Sequence, residues 1–244
     1  MMPLLMEDDS KLPTRVLAVV GMHRSGTSCL TGSLEQAGLG LGEVHTWNRY
    51  NRRGNREKQS IVDLNDEVLA ANQGSWDQPP KTCSWSDDQV LRARELIAGL
   101  NGHACAGFKD PRSLLTIEGW LRAVPHLEFV GVFRSPHAVA SSLAHRSAMP
   151  WEQAIRLWTI YNARLLELQE RYRFPLINFD VDEAQYLKVV GDLVRILDLN
   201  GSSVGRSPFF DDALRNSQRE SKSFTLPYRT KLLHWRLKRR AVGL

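Results

Sequence analysis

The chain has 244 residues, 42% hydrophobic and 24% charged, which is enough to bury a full core and predicts one main domain. No apolar run approaches the roughly 20 residues of a membrane span, and the acidic residues near the start are untypical of a signal peptide, so we expect a cytoplasmic protein. The formal net charge of +5 suits either a nucleic-acid-binding protein or an enzyme that attracts a multiply anionic nucleotide.

The predicted elements alternate between strands and helices. Residues 15–20 form a nearly all-apolar run that ends at Gly21, which is typical of a strand buried on both faces of a parallel sheet. Further strands are predicted at 103–108, 127–133 and 175–179, and helices at 25–37, 57–72, 86–100 (capped by Ser86), 114–123, 136–145, 151–172 and 183–197. The order predicts an α/β fold: a doubly wound parallel sheet of about four to five strands flanked by helices.

The cysteines Cys29, Cys83 and Cys105 are odd in number and show neither CxxC nor histidine spacing. We therefore expect reduced thiols and neither a disulfide framework nor a zinc site.

The segment Gly21-Met-His-Arg-Ser-Gly-Thr-Ser28 lies between the first predicted strand and helix. Free backbone N–H groups and the positive end of the helix dipole meet there, which indicates a cradle for phosphate or sulfate. A Walker-type kinase loop has lysine directly after the second glycine, whereas Thr27 and Ser28 follow Gly26 here and the cation, Arg24, precedes it. A plain glycine turn with a polar helix start is the alternative.

Arg24-Ser25-Gly26-Thr27 resembles the (Lys or Arg)-(Ser or Thr)-Gly-(Thr or Ser) loop of sulfotransferases that use 3′-phosphoadenosine-5′-phosphosulfate (PAPS), a family with a P-loop NTPase-like fold. The resemblance implies that the loop binds the 5′-phosphosulfate and that Arg24 contacts its bridging oxygen. The loop residues assigned to the nucleotide are His23, Arg24, Ser25, Gly26, Thr27 and Ser28.

Arg134-Ser-Pro follows a predicted strand, and Ser142 comes about two helical turns later. This pair resembles the family's 3′-phosphate motif, so the resemblance assigns Arg134 and Ser142 to the 3′-phosphate. A surface salt bridge for Arg134 and helix packing for Ser142 are the alternatives. Near the C-terminus, Phe209-Phe-Asp-Asp-Ala-Leu-Arg215 resembles a short family element, which makes Arg215 a further candidate nucleotide ligand.

The polar end of the strand at 103–108, Lys109-Asp110-Pro111-Arg112, resembles an element of the bacterial sulfotransferases, and we expect it to line the cleft. The resemblance suggests that Lys109 contacts the sulfonate, while Arg112 assists it or pairs with Asp110. The segment that ends in Glu57 resembles the Asn-x-x-Gly-x-x-Glu segment of the same branch, so Glu57 is the first candidate general base. His45 and Asp110 are the other candidates, and a favourable charge at a helix start is the alternative role for Glu57.

The leading hypothesis is a sulfotransferase that uses PAPS, without a metal ion, to modify a hydroxyl on a carbohydrate, a lipid-linked glycan or a small metabolite. The alternatives are a small-molecule kinase that uses ATP and magnesium, and a non-catalytic nucleotide-binding module. No nucleic-acid-binding signature is present. We interpret residues 1–14 as an N-terminal tail, 15–200 as the sulfotransferase domain, and 201–244 as a less regular, basic extension packed on or trailing from that domain. Its basic end suits weak contact with a membrane surface or an acidic acceptor, or is a solvated charge run.

Overall fold

The computed structural model describes residues 9–47, 54–199 and 225–242. Within these ranges the strands are β1 (Val16–Val20), β2 (Ala106–Phe108), β3 (Leu127–Phe133) and β4 (Leu176–Asn178). The helices are α1 (Thr27–Gln36), α2 (Gln59–Ala71), α3 (Asp87–Ala98), α4 (Ser113–Ala123), α5 (Pro136–Ser147), α6 (Trp151–Tyr172), α7 (Glu183–Ile196) and α8 (Tyr228–Arg240). A short 3-10 turn covers Asp9–Lys11.

The sheet has four strands among the described residues, in the order β2-β1-β3-β4, and every neighbouring pair is parallel. In β1, Val16 pairs with Ala106 on one side and Leu127 on the other. Because the strands are parallel, the loops that follow all four strands gather at one edge, where open α/β sheets bind their ligands.

Helices cover both faces of the sheet, and β1 divides its side chains between them. Val16, Ala18 and Val20 belong to a large apolar cluster with residues of α2 to α6 and α8. Leu17 and Val19 belong to a second cluster with residues of α1 and α7. Since all five residues of β1 are buried, its continuous apolar run is explained by burial on both sides. The predicted doubly wound parallel sheet of about four to five strands is confirmed.

Local capping signals fix several helix starts. The side chain of Ser86 accepts a hydrogen bond from the backbone N–H of Gln89, and the backbone N–H of Ser86 donates to the Gln89 side chain, which completes a capping box before α3. At the start of α5, Ser135 is the cap and Pro136 occupies the first helical position. The predicted Ser86 cap is confirmed.

Two predictions about elements were wrong. The strand predicted from residue 103 begins only at Ala106, because residues 101 to 104 form exposed turns outside the sheet. The less regular C-terminal tail is a helix over Tyr228–Arg240, whose residues Thr230, Leu233 and Leu237 are buried. These three positions have helical spacing. Six of the thirteen residues in this helix are basic, so the apolar periodicity is hard to recognise in the sequence.

The first residues of the described range pack against the domain. Leu12 is buried in the large apolar cluster, and Asp9 pairs with Arg94 of α3. Within the described ranges, the helices are all too short or too polar for a membrane span. The three cysteines are thiols.

Candidate functional site

The loop between β1 and α1 contains two glycines, Gly21 and Gly26, at positions where neighbouring elements leave no room for a side chain. A Cβ at Gly21 would lie 2.4 Å from the carbonyl oxygen of Val132 in β3, and a Cβ at Gly26 would lie 2.4 Å from the ring of Phe179. Gly26 has a φ of 92° and Arg24 a φ of 68°, both in the left-handed region. Arginine pays a conformational cost in this region, so the loop holds Arg24 in a strained backbone conformation.

The loop leads directly into α1, whose N-cap residue is Gly26, and no described side chain caps the helix start. The first N–H groups of a helix have no partner inside the helix and carry its positive dipole end. In the same loop, the hydroxyl oxygen of Ser25 is fully buried and has no hydrogen-bond partner among the described residues. An uncapped helix start of this kind is a favourable position for an anion, so the predicted phosphate or sulfate cradle remains a prediction for this loop.

Arg24 brings the two sequence motifs together. Its Nε donates to the hydroxyl oxygen of Ser142 over 2.8 Å, although the two residues are 118 positions apart. Burial, followed by the charges of Arg146 and Arg134, lowers the pKa of Arg24 to about 10. Arg24 is still protonated at neutral pH, and its cationic surroundings favour the binding of an anion.

Arg134 lies at the carboxyl end of β3 and is 7% exposed. Its Nε lies 3.4 Å from a carboxylate oxygen of Asp180, and its guanidinium lies 5.9 Å from the centre of the Phe179 ring. The indole N–H of Trp158 donates to its backbone carbonyl over 2.9 Å. Asp180, which follows β4, was missed by the sequence analysis; an acid just after a strand at the ligand-binding edge was the available signal.

Lys109 follows β2 and joins two other segments. Its Nζ lies 2.7 Å from Glu57 Oε1 and 3.2 Å from the hydroxyl oxygen of Ser28. The Lys109 side chain is 1% exposed and that of Glu57 is 13% exposed. The structure thus brings Lys109 into direct contact with Glu57 and with the loop between β1 and α1. Glu57 itself lies two residues before α2.

Asp110 is enclosed by hydrogen bonds. One of its oxygens accepts from Arg112 Nη1 over 2.9 Å and from the Arg112 backbone N–H over 3.2 Å, while the other accepts from Asn65 Nδ2 over 2.8 Å. Burial raises the pKa of Asp110, and the charge of Arg112 opposes that rise. Arg112 also contacts Asp66 over 2.6 Å. These contacts make Asp110 a group that orders its loop, and Asn65 is a partner that the sequence analysis did not identify.

The two candidate histidines have different environments. The side chain of His45 is exposed, while its backbone N–H donates to the carbonyl of Glu57 over 2.9 Å. His23 packs against Trp76 with 4.7 Å between ring centres, and its buried Nε2 has no hydrogen-bond partner among the described residues. Burial, then the charges of Arg112 and Lys109, lower the pKa of His23 well below its usual value, so the imidazole is neutral.

Arg215 lies outside the described residues, so the structure does not place it. Within the described ranges, no group of three or more His, Cys, Asp and Glu side chains is arranged to hold a metal ion.

Comparisons with known proteins give matches only at the level of structure. No protein-family model matches the sequence, and no curated protein does. Sulfotransferase STF1 from Mycobacterium tuberculosis H37Rv aligns over 96% of this chain and 78% of its own, at 14% identity and a TM-score of 0.45. The sulfotransferase domain of the olefin synthase from Synechococcus PCC 7002 aligns over 95% of this chain and 97% of its own, at 17% identity and a TM-score of 0.58. Because this second alignment covers nearly all of both chains, the protein described here has the sulfotransferase fold.

Proposed function

We propose that this protein is a sulfotransferase that moves a sulfuryl group from PAPS to an acceptor hydroxyl. The observation that carries the proposal is the 2.8 Å contact between Arg24 Nε and Ser142 Oγ. It joins the loop assigned to the 5′-phosphosulfate with the motif assigned to the 3′-phosphate. One nucleotide with phosphates at both ends spans such a pair of sites.

The nucleotide is bound by charge and by backbone donors. The loop from His23 to Ser28 and the start of α1 bind the 5′-phosphosulfate, and Arg134 with Ser142 binds the 3′-phosphate. Arg215 is a further proposed ligand. Arg24, Arg134 and Arg146 place positive charge around the site without a metal ion. Binding of a multiply charged anion offsets their mutual repulsion.

The transfer step forms a bond between the acceptor oxygen and sulfur and breaks the bond between sulfur and the bridging oxygen. Negative charge develops on the departing 5′-phosphate, which Arg24 stabilises, and on the sulfonate oxygens, which Lys109 contacts. The acceptor proton passes to a general base. Among the candidates, Glu57 is supported by its contact with Lys109, whereas His45 is exposed and Asp110 is enclosed by Arg112 and Asn65.

The nucleotide assignment is tested by calorimetric titration with adenosine 3′,5′-bisphosphate, beside 5′-AMP and ATP with magnesium. We expect metal-independent binding of the bisphosphate that weakens roughly 10- to 100-fold in Arg134→Ala, because hydrogen bonds to charged groups contribute about 1.5–3 kcal/mol. Arg122→Ala is the matched control, since Arg122 pairs with Asp87 on the surface and is 42% exposed. Preference for ATP with magnesium would establish the kinase alternative instead.

Catalysis is tested by incubating the protein with PAPS and a panel of carbohydrate, lipid-linked glycan and small-metabolite acceptors. A sulfated product that disappears in Lys109→Met supports the proposal. Saturable bisphosphate binding without any sulfated product across the panel would favour the non-catalytic nucleotide-binding module.

A further inference from the structure

Helix α8 exposes a stripe of large apolar side chains. Tyr228, Leu232 and Trp235 are 77%, 43% and 53% exposed. They are spaced by four and then three residues, so they lie on the same face of the helix. Burying these side chains away from water is favourable, and their clustering on one helix face distinguishes them from apolar residues scattered over a surface.

The same helix is strongly basic and contains no acidic residue. Its basic residues are Arg229, Lys231, Arg236, Lys238, Arg239 and Arg240. Arg236 and Arg240 each lie 2.8 Å from Glu170 of α6. The other four form no ion pair with any described residue, and the guanidinium of Arg239 lies 4.8 Å from the centre of the Trp235 ring.

The exposed stripe cannot rotate into the core, because the opposite face of α8 packs against the domain. Leu233 and Leu237 are buried in the large apolar cluster. The hydroxyls of Thr230 and Thr159 of α6 lie 3.0 Å apart. The helix therefore presents its exposed aromatic and basic side chains on a surface of fixed orientation.

We infer that this face of α8 binds the surface of a bilayer that contains anionic lipids. A helix with exposed Trp, Tyr and Leu beside uncompensated Lys and Arg has the composition of helices that lie in the membrane interface. Aromatic rings favour the headgroup level, and each Lys or Arg gains attraction from anionic headgroups. The absence of acidic residues from α8 gives the charge complementarity that selects an anionic surface over a neutral one.

Helix α8 also packs near the candidate site through its inward side. The ring of His234 in α8 is 6.1 Å from that of Phe133, the last residue of β3, and 5.8 Å from Trp158. Trp158 donates to the carbonyl of Arg134. The lipid contact itself does not depend on the proposed function.

The test is sedimentation of the full chain with vesicles of phosphatidylcholine alone and of phosphatidylcholine with about one third phosphatidylglycerol. We expect binding to the anionic vesicles only, weakened by salt because the charges are exposed. Replacing Lys231, Lys238 and Arg239 with Gln is expected to weaken binding roughly 100-fold, at about fivefold per charge. Trp235→Ser is expected to weaken it about tenfold or more through lost apolar burial.

Ile196→Ser is the matched control, because Ile196 is 59% exposed on α7, which packs on the other face of the sheet. It is expected to bind vesicles as the unchanged protein does. If Trp235→Ser melts at a lower temperature than the unchanged protein, Leu232→Ser replaces it as the test variant. Equal binding to neutral vesicles, absence of binding to anionic vesicles, or equal weakening by Ile196→Ser would overturn the inference. Capture by polyglutamate without vesicle binding would identify an acidic protein as the occupant and would also overturn it.

Discussion

Replacement of Glu57 with Gln tests both the ion pair and the candidate base. The Glu57–Lys109 contact is 2.7 Å long, with side chains 13% and 1% exposed. Breaking a buried ion pair lowers the free energy of unfolding by about 3–5 kcal/mol. Because the amide oxygen of Gln can still accept a hydrogen bond from Lys109, we expect the loss in Glu57→Gln to lie near the lower end of this range. We therefore expect urea denaturation to show a loss of about 3 kcal/mol in the free energy of unfolding. For a chain of this size the melting temperature then falls by about 6–12 °C.

The same variant separates chemistry from nucleotide binding. If Glu57 accepts the acceptor proton, kcat falls by roughly 10²- to 10⁴-fold, while adenosine 3′,5′-bisphosphate binds within a few-fold of its original affinity. Glu128→Gln is the matched control, because Glu128 pairs with Arg15 over 2.8 Å but is 39% exposed. We expect that change to cost less than about 1 kcal/mol and to leave kcat unchanged.

A kcat for Glu57→Gln within a few-fold of the original value would remove Glu57 from the base role. An unchanged free energy of unfolding would refute the reasoning from the buried pair. Both quantities are measured below the melting temperature of the variant, so that loss of folded protein is not mistaken for loss of chemistry.

Three further outcomes are expected. Gly26→Ala, with a positive φ and a Cβ 2.4 Å from an aromatic ring, lowers the free energy of unfolding by about 1–3 kcal/mol in urea denaturation. Its control is Gly191→Ala, in a helix with open space around it, which leaves stability unchanged or raises it by up to about 1 kcal/mol. Ser142→Ala weakens bisphosphate binding about tenfold by calorimetry, whereas Ser147→Ala on the same helix, whose hydroxyl donates to the carbonyl of the preceding turn, has no effect. A neutral His23 takes up its proton only on unfolding, so stability is full above a pH of about 6.5 and falls by up to about 1.4 kcal/mol per pH unit below it; melting curves of His23→Gln should lose part of this dependence.

Elements governed by local sequence were predictable. The apolar run of β1 and the Ser86 cap were recognised because burial on both faces and helix capping each leave a pattern within a few residues. The position of the loop between β1 and α1 belongs to this class, since its glycines lie between one strand and the helix that follows it. Lys109 was expected in the cleft from its polar strand end and its family resemblance, and it contacts Ser28 of this loop because parallel strands end at the same edge.

Contacts between distant segments were not predictable. Arg24 meets Ser142 across 118 positions, and the pairing of Arg134 with Asp180 depends on where β4 joins the sheet. No spacing rule within one element encodes such contacts. The long basic side chains of α8 obscured its apolar face, so its helical character became evident only from its packing on α6.

The central position of β1 has a consequence for the order of events during synthesis. Val16 pairs with Ala106, which is made ninety residues later, and with Leu127 beyond it. At about 5–20 residues per second, β1 waits roughly 5–18 s for its first partner. Five consecutive apolar residues stay without their sheet neighbours during this interval. Nascent chains of this protein are therefore expected to need a chaperone at β1 until β3 has left the ribosome.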